Sequence, residues 1–148
     1  MNYTTFKHVM FFALFVFSSL VISAQKTWLD NDWTETSKEK ANFYRVKPKK
    51  TGDFYAIKHF YKSDNLLLEG QSKTAYPSKD DFNGVVKIYF ETGELKEERF
   101  FNNGIREGVW KTFHKTGKIK TKGKYRNGEK VGVWKTFYKN VYEDFLPN

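Results

Sequence analysis

The stretch Gly108-Val109-Trp110-Lys111-Thr112-Phe113 recurs letter for letter as Gly132-Val133-Trp134-Lys135-Thr136-Phe137, 24 residues further on. The same step links Gly84 to Gly108, Val85 to Val109, Lys87 to Lys111 and Tyr89 to Phe113. It also links Gly93 to Gly117, Leu95 to Ile119, Phe101 to Tyr125, and Asn103-Gly104 to Asn127-Gly128. Matches in register at a fixed spacing mark a repeat architecture, in which each unit buries its apolar side against its neighbours. Arrays of this kind commonly serve as binding surfaces.

Each unit reads as two strands and two turns. Val109 to His114 is a short run rich in aromatic and β-branched residues, and Lys115-Thr116-Gly117-Lys118 supplies a turn. Ile119 to Tyr125 is the second strand, and Asn127-Gly128 is the dipeptide most strongly tied to tight hairpins. The expectation is an all-β fold: a single-layer antiparallel meander of tandem hairpins. Alternation along the second strand puts Ile119, Thr121, Gly123 and Tyr125 on one face and Lys118, Lys120, Lys122 and Lys124 on the other. In the preceding unit that second face carries Glu94, Lys96, Glu98 and Phe100, so register is kept while charge is not. In the first strands aromatics fall on both faces, Trp110 on one and Phe113 on the other.

A degenerate unit lies upstream. Ile57-Lys58-His59-Phe60-Tyr61 resembles Val86-Lys87-Ile88-Tyr89-Phe90 at an offset of 29, and Leu66 then matches Leu95. The extra residues fit the polar loop Tyr76-Pro77-Ser78-Lys79-Asp80-Asp81. The chain therefore divides into 1–24, an N-terminal extension over 25–53, repeats over 54–140 and a terminal cap over 141–148. The extension shows no repeat match and is expected to be irregular. Thr36-Ser37-Lys38-Glu39 has capping-box spacing and predicts one helical turn running to Phe43-Tyr44. Lys47 to Gly52 reads as a connector into the sheet.

Lys7 and His8 precede a 14-residue apolar run, Val9 to Ile22, and Ser23-Ala24-Gln25 then offers a small residue to signal peptidase. That is a secretory signal pattern with cleavage after Ala24. The run is short for a membrane span, which takes about 20 apolar residues; an uncleaved anchor is the alternative. Export predicts a periplasmic, outer-membrane-associated or extracellular protein with no transmembrane span after cleavage. Cysteine is absent, which excludes disulfides, thiolate metal sites and a lipid-modified cysteine.

The formal net charge is +9, distributed unevenly. Residues 25–104 hold 14 Lys/Arg against 13 Asp/Glu, whereas residues 105–140 hold 11 against Glu107 and Glu129 alone. The positive field belongs to the last repeats. Twenty-two of the 28 aromatic residues lie beyond residue 24. Large rings cover about 150–250 Å² each, enough to give a thin sheet its apolar burial.

No catalytic constellation emerges. Beyond His8 the imidazoles are His59 and His114, and His114 occupies the repeat position of Phe90 and Tyr138, an aromatic sheet position. Adjacent Glu97-Glu98 point to opposite faces of a strand and form no acid/base dyad. Asp80-Asp81-Phe82-Asn83-Gly84 is only a fragment of a calcium loop. No metal and no cofactor is expected, and an enzyme is disfavoured. Two features are left for binding. One is the basic set Lys111, Lys118, Lys120, Lys122, Lys124 and Lys135, either a solvated face that blocks aggregation or a site for an anionic lipid, glycan or acidic protein. The other is Trp110 and Trp134, stacked on adjacent repeats, either core or an aromatic contact surface. Nucleic acid is disfavoured by export.

Gly-Val-Trp-Lys-Thr-Phe-His-Lys-Thr-Gly-Lys-Ile, followed by Tyr-Arg-Asn-Gly-Glu-Lys-Val-Gly, resembles the bacterial MORN-repeat variant over about Phe54 to Lys139. Val86 departs from the tryptophan found in the other units. The resemblance implies a hairpin-repeat scaffold without catalysis of its own that binds an unidentified protein or envelope component. Exported Bacteroidetes-type relatives carry the label of YwqK-type antitoxin components, which implies a role in neutralising an exported toxin.

Overall fold

The computed structural model describes residues 25–77 and 81–138. The predicted signal segment over 1–24 and the predicted cap over 141–148 lie outside the described residues. Eleven strands form one open antiparallel sheet, and no helix occurs among the described residues. In chain order they are β1 (Lys26–Leu29), β2 (Phe43–Val46), β3 (Lys49–Thr51), β4 (Phe54–Tyr61), β5 (Leu66–Ser72) and β6 (Phe82–Tyr89), then β7 (Leu95–Asn102), β8 (Ile105–Arg106), β9 (Gly108–Phe113), β10 (Ile119–Arg126) and β11 (Glu129–Thr136). The main path runs β1-β2-β4-β5-β6-β7-β9-β10-β11, with β3 beside β4 and β8 beside β7.

The sequence period reappears as a period of hydrogen bonds. The Gly104 amide donates to the Phe82 carbonyl at 2.8 Å, and 24 residues on the Gly128 amide donates to the Arg106 carbonyl at 3.0 Å. The Asn103 amide reaches Asn83 Oδ1 at 3.0 Å, and the Asn127 amide reaches Glu107 Oε2 at 2.9 Å. Each Asn-Gly turn is thus pinned to the start of its own unit. Both turn residues take positive φ, 49° and 82° in one unit, 50° and 87° in the next. That pair of angles defines the hairpin turn whose twist matches the flanking strands, and Asn-Gly adopts it at low cost. The three hairpins β4/β5, β6/β7 and β9/β10 share a register break at the same repeat position, around Leu67, Lys96 and Lys120.

One face of the sheet carries a continuous row of rings. Phe82 and Phe101 lie 5.9 Å apart, Phe101 and Trp110 5.3 Å, Trp110 and Tyr125 4.6 Å, and Tyr125 and Trp134 5.1 Å. Ile57, Phe82, Val86 and Phe101 form the buried cluster against which Trp110 packs. The two repeat tryptophans therefore do not stack on one another as expected, because Tyr125 from the intervening strand sits between them. Among the described residues no second layer covers the rings, and cations lie over their outer side: Arg99 and Arg106 over Trp110, Arg106 over Tyr125, and Lys130 over Trp134 at 4.5 Å. The aliphatic stems of these side chains shield ring surface while their charged ends stay in water.

The N-terminal segment departs from the sequence reading. It is not irregular: β1, β2 and β3 continue the sheet, β2 pairing with both β1 and β4. A single turn does form at Ser37, whose carbonyl accepts from the Lys40 and Ala41 amides. It goes no further, because Phe43 and Tyr44 take cross-strand partners, Phe43 opposite Leu29 and Tyr61, Tyr44 opposite Trp28 and Phe60. The 47–52 connector is likewise partly strand, with Lys49–Thr51 hairpinned onto Phe54–Ala56. Tyr44 stacks on Phe60 at 5.0 Å on one face, and Phe43 lies between Trp33 and Tyr61 on the other. Of the calcium-loop fragment, Phe82, Asn83 and Gly84 belong to β6.

His59 in β4 faces Arg45 and Leu68 across its neighbouring strands and lies 5.2 Å from the Trp33 ring. Its Nδ1 is buried without a hydrogen-bond partner among the described residues. Burial, with the Arg45 guanidinium adding to it, pushes the imidazole from 6.5 down to about 4. The folded protein therefore binds this proton less readily than the unfolded chain. Stability should fall as pH drops from about 6.5 to about 4, by on the order of 2–3 kcal/mol from this group. Urea unfolding across that range should lose most of its slope in His59→Ile, the residue the next unit carries as Ile88; an unchanged slope would contradict the assignment.

Gly123 is where the ring row presses hardest on the backbone. A Cβ built there would stand 2.1 Å from Trp134 Cδ2 and 2.2 Å from Cε2. Gly123→Ala should destabilise the fold by about 1–3 kcal/mol through overpacking. In a Trp134→Ala background the same change should be close to neutral, so a double-mutant cycle by chemical denaturation reads the contact directly.

Candidate functional site

The face opposite the rings carries a row of charges in strict register. Lys58 pairs with Glu69, Glu69 with Lys87, Lys87 with Glu98, and Glu98 with Lys111. Lys111 then pairs with Lys122, and Lys122 with Lys135. Opposite charges facing each other across strands stabilise a sheet by roughly 0.2–1 kcal/mol, and like charges destabilise it comparably. The alternation holds over five strands and breaks at Lys122, which occupies the repeat position of Glu69 and Glu98. Three lysines in a row then run to the edge of the sheet.

The predicted basic set consequently divides. Lys111 is not an uncovered cation: its Nζ lies 2.8 Å from Glu98 Oε1. Lys118 belongs to the turn before β10, where its carbonyl accepts the His114 amide. Lys120 sits at the register break, and its carbonyl accepts the Phe137 amide. Lys122, Lys124 and Lys135 are exposed and gather around one shallow groove of about 520 Å³. Its floor is Val109, Val131 and Val133, its fourth cation is Arg126, and no carboxylate lines it. Glu129 faces Arg126 at the hairpin end, beyond that lining. Among the described residues no ion pair neutralises Lys122, Lys124 or Lys135.

A second groove on the same face provides the contrast. It measures about 450 Å³ and is lined by Ala56, Lys58, Glu69, Gln71, Val85 and Lys87, with charges of both signs. Glu69 there also accepts the Tyr89 hydroxyl at 2.7 Å, and burial together with that bond pushes the phenol up to about 12. The two grooves share backbone geometry and differ in charge.

Trp110 and Trp134 lie on the ring face. The Trp110 indole donates to the Phe100 carbonyl at 3.1 Å, while Trp134 Nε1 is buried with no hydrogen-bond partner among the described residues. His114 is half-buried, with Nε2 3.2 Å from the Phe137 carbonyl. Its repeat counterpart Tyr61 places its hydroxyl 2.8 Å from the Tyr89 carbonyl. The imidazole thus stitches neighbouring units, as the tyrosine does. Glu97 binds Arg99 at 2.6 Å on the ring face and stands apart from Glu98. No cluster of three or more metal-binding side chains occurs among the described residues.

Sequence reasoning missed Arg126 and the alternating row. The signal was present: Lys58, Lys87, Lys111 and Lys135 share one repeat position, and Glu69, Glu98 and Lys122 share another. Only strand order shows that these positions abut.

Residues 82–103 and 106–127 match the family model of the MORN repeat variant. Both matched segments lie in this sheet. No curated protein and no solved structure matches the chain. The first matched segment contributes Lys87 and Glu98 of the alternating row, and the second contributes Lys111, its last member, and Lys122, where the alternation breaks. MORN repeats are generally non-catalytic binding modules.

Restoring the alternation supplies a test of the electrostatics. Lys122→Glu should raise stability by about 0.5–1 kcal/mol at low salt, with the gain shrinking as salt rises. Equal stability of the two forms at low ionic strength would show that the lysine row carries no repulsion.

Proposed function

We propose that this chain is an exported, non-catalytic binding module that engages an acidic surface of a partner protein through the basic end of its sheet. The observation that carries this reading is the break in charge alternation at Lys122. Elsewhere along the row lysines and glutamates face one another across the strands; here Lys122 faces a lysine on each side, beside a groove lined by cations without a carboxylate. Such an arrangement opposes stability and favours encounter with a negatively charged partner. The signal pattern over residues 1–24 supports export, and the MORN repeats support a binding role.

A crosslinked pull-down from the native cell envelope tests the reading, comparing the wild type with a Lys122→Gln, Lys124→Gln, Lys135→Gln variant. One stoichiometric protein is expected with the wild type and should be lost from the variant, and the recovered bait should begin at Gln25. Equal recovery by both forms would remove the basic end from the function. Recovery of lipid or glycan alone, released at high salt, would transfer the function to those anions.

A further inference from the structure

The edge of the sheet indicates how such a partner attaches. β9 has a neighbour on each side, β7 and β10. Its counterpart one unit later, β11, pairs among the described residues with β10 alone. Among the described residues the difference in pairing is matched by a difference in exposure. Val133 is 78% exposed, against 41% for Val109 and 48% for Val85 at the same repeat position. Backbone groups along an unpaired edge are a ready template for another strand.

The interior of the sheet indicates which residues a strand added beside β11 would meet. In the three hairpins, the lysine of the first strand faces Glu69, Glu98 or Lys122 in the second. Lys135 is the lysine of the final first strand, and its one partner in the row is Lys122. A carboxylate opposite Lys135 resumes the alternation and relieves a like-charge contact. Two residues further along, an apolar side chain falls on Val133, as Phe100 faces Val85.

We propose that β11 is a docking edge for an extended acidic segment of a partner protein, which adds as the next antiparallel strand with a carboxylate opposite Lys135. The inference rests on the basic end being the binding region. Strand addition draws affinity from main-chain hydrogen bonds and selectivity from alternate side chains. A second copy of this chain is a poor occupant. Its β11 brings two lysines against the single carboxylate Glu129, and β1, Lys26-Thr27-Trp28-Leu29, carries no carboxylate.

The probe is a synthetic peptide with the sequence of residues 93–102, which carries Glu98 at the required position, alongside its Glu98→Lys counterpart. Each is titrated into isotopically labelled protein and followed by backbone amide shifts. The glutamate peptide should perturb β11 and bind roughly three- to tenfold tighter at low salt. The order should invert in Lys135→Glu, an exposed position whose replacement leaves the ring face intact. Equal affinities, a preference that persists in Lys135→Glu, or shifts confined to other strands would overturn the proposal. So would cross-strand contacts to β11 in the protein alone, from residues 139–148 or from a second copy revealed by a dimer mass. If the peptides fail while the lysine-to-glutamine variant still loses its partner in the pull-down, strand addition falls and the basic end remains the binding region.

Discussion

Among the described residues no second layer packs on the inner face of the sheet, so the fold depends on side chains covering one another along that face. The ring row from Phe82 through Phe101, Trp110 and Tyr125 to Trp134 does this at centroid spacings between 4.6 and 5.9 Å. Tilted and edge-on contacts at such distances are the favourable ones for aromatic pairs. Each ring comes from a different strand, so every contact also fixes the register of two neighbours. Gly123 belongs to the same system, since a bare backbone is what lets Trp134 lie flat on β10. Gly70 makes similar room for Val86, whose Cγ2 would stand 3.0 Å from any Cβ added there. Arg99 holds the equivalent place in the middle unit and reaches over Trp110 instead.

Because apolar burial is concentrated on one face, the other is free to vary in charge without loss of fold. It uses that freedom in two ways. Across the first units it alternates sign, so each cross-strand pair helps hold the sheet. Across the last unit it repeats one sign, which costs stability and leaves a field that reaches beyond the molecule. The two grooves of this face show the difference at similar size, one with Glu69 among its lysines and the other with cations only. In the proposed function, stability and binding draw on the same row of positions, and the residue type at position 122 tips the balance.

The hairpin turns make the arrangement repeatable. Asn83 and Glu107 are chemically different, yet each presents an oxygen to the amide of the asparagine twenty residues later. Tyr61 and His114 likewise differ, yet each meets a backbone carbonyl of the following unit. The repeat preserves hydrogen-bond geometry more strictly than residue identity. That is why the degenerate unit of β4 and β5 keeps the same register break as its regular neighbours.

The amino-acid sequence by itself determined the period, the hairpins, the Asn-Gly turns and the sorting of Gly123 and Tyr125 from Lys122 and Lys124. All of these follow from local conformational preference and the two-residue alternation of a strand. The tertiary structure decided what lies beside what. It drew Lys26–Leu29 and Phe43–Val46 into the sheet, because strands of four residues carry too little pattern to declare themselves and are fixed by their partners. It set Tyr125 between the two tryptophans. It also gave Lys111 a carboxylate while leaving Lys122 and Lys135 against each other. Charge pairing falls off with distance in space, and that distance depends on strand order, which a spacing of 24 residues does not contain.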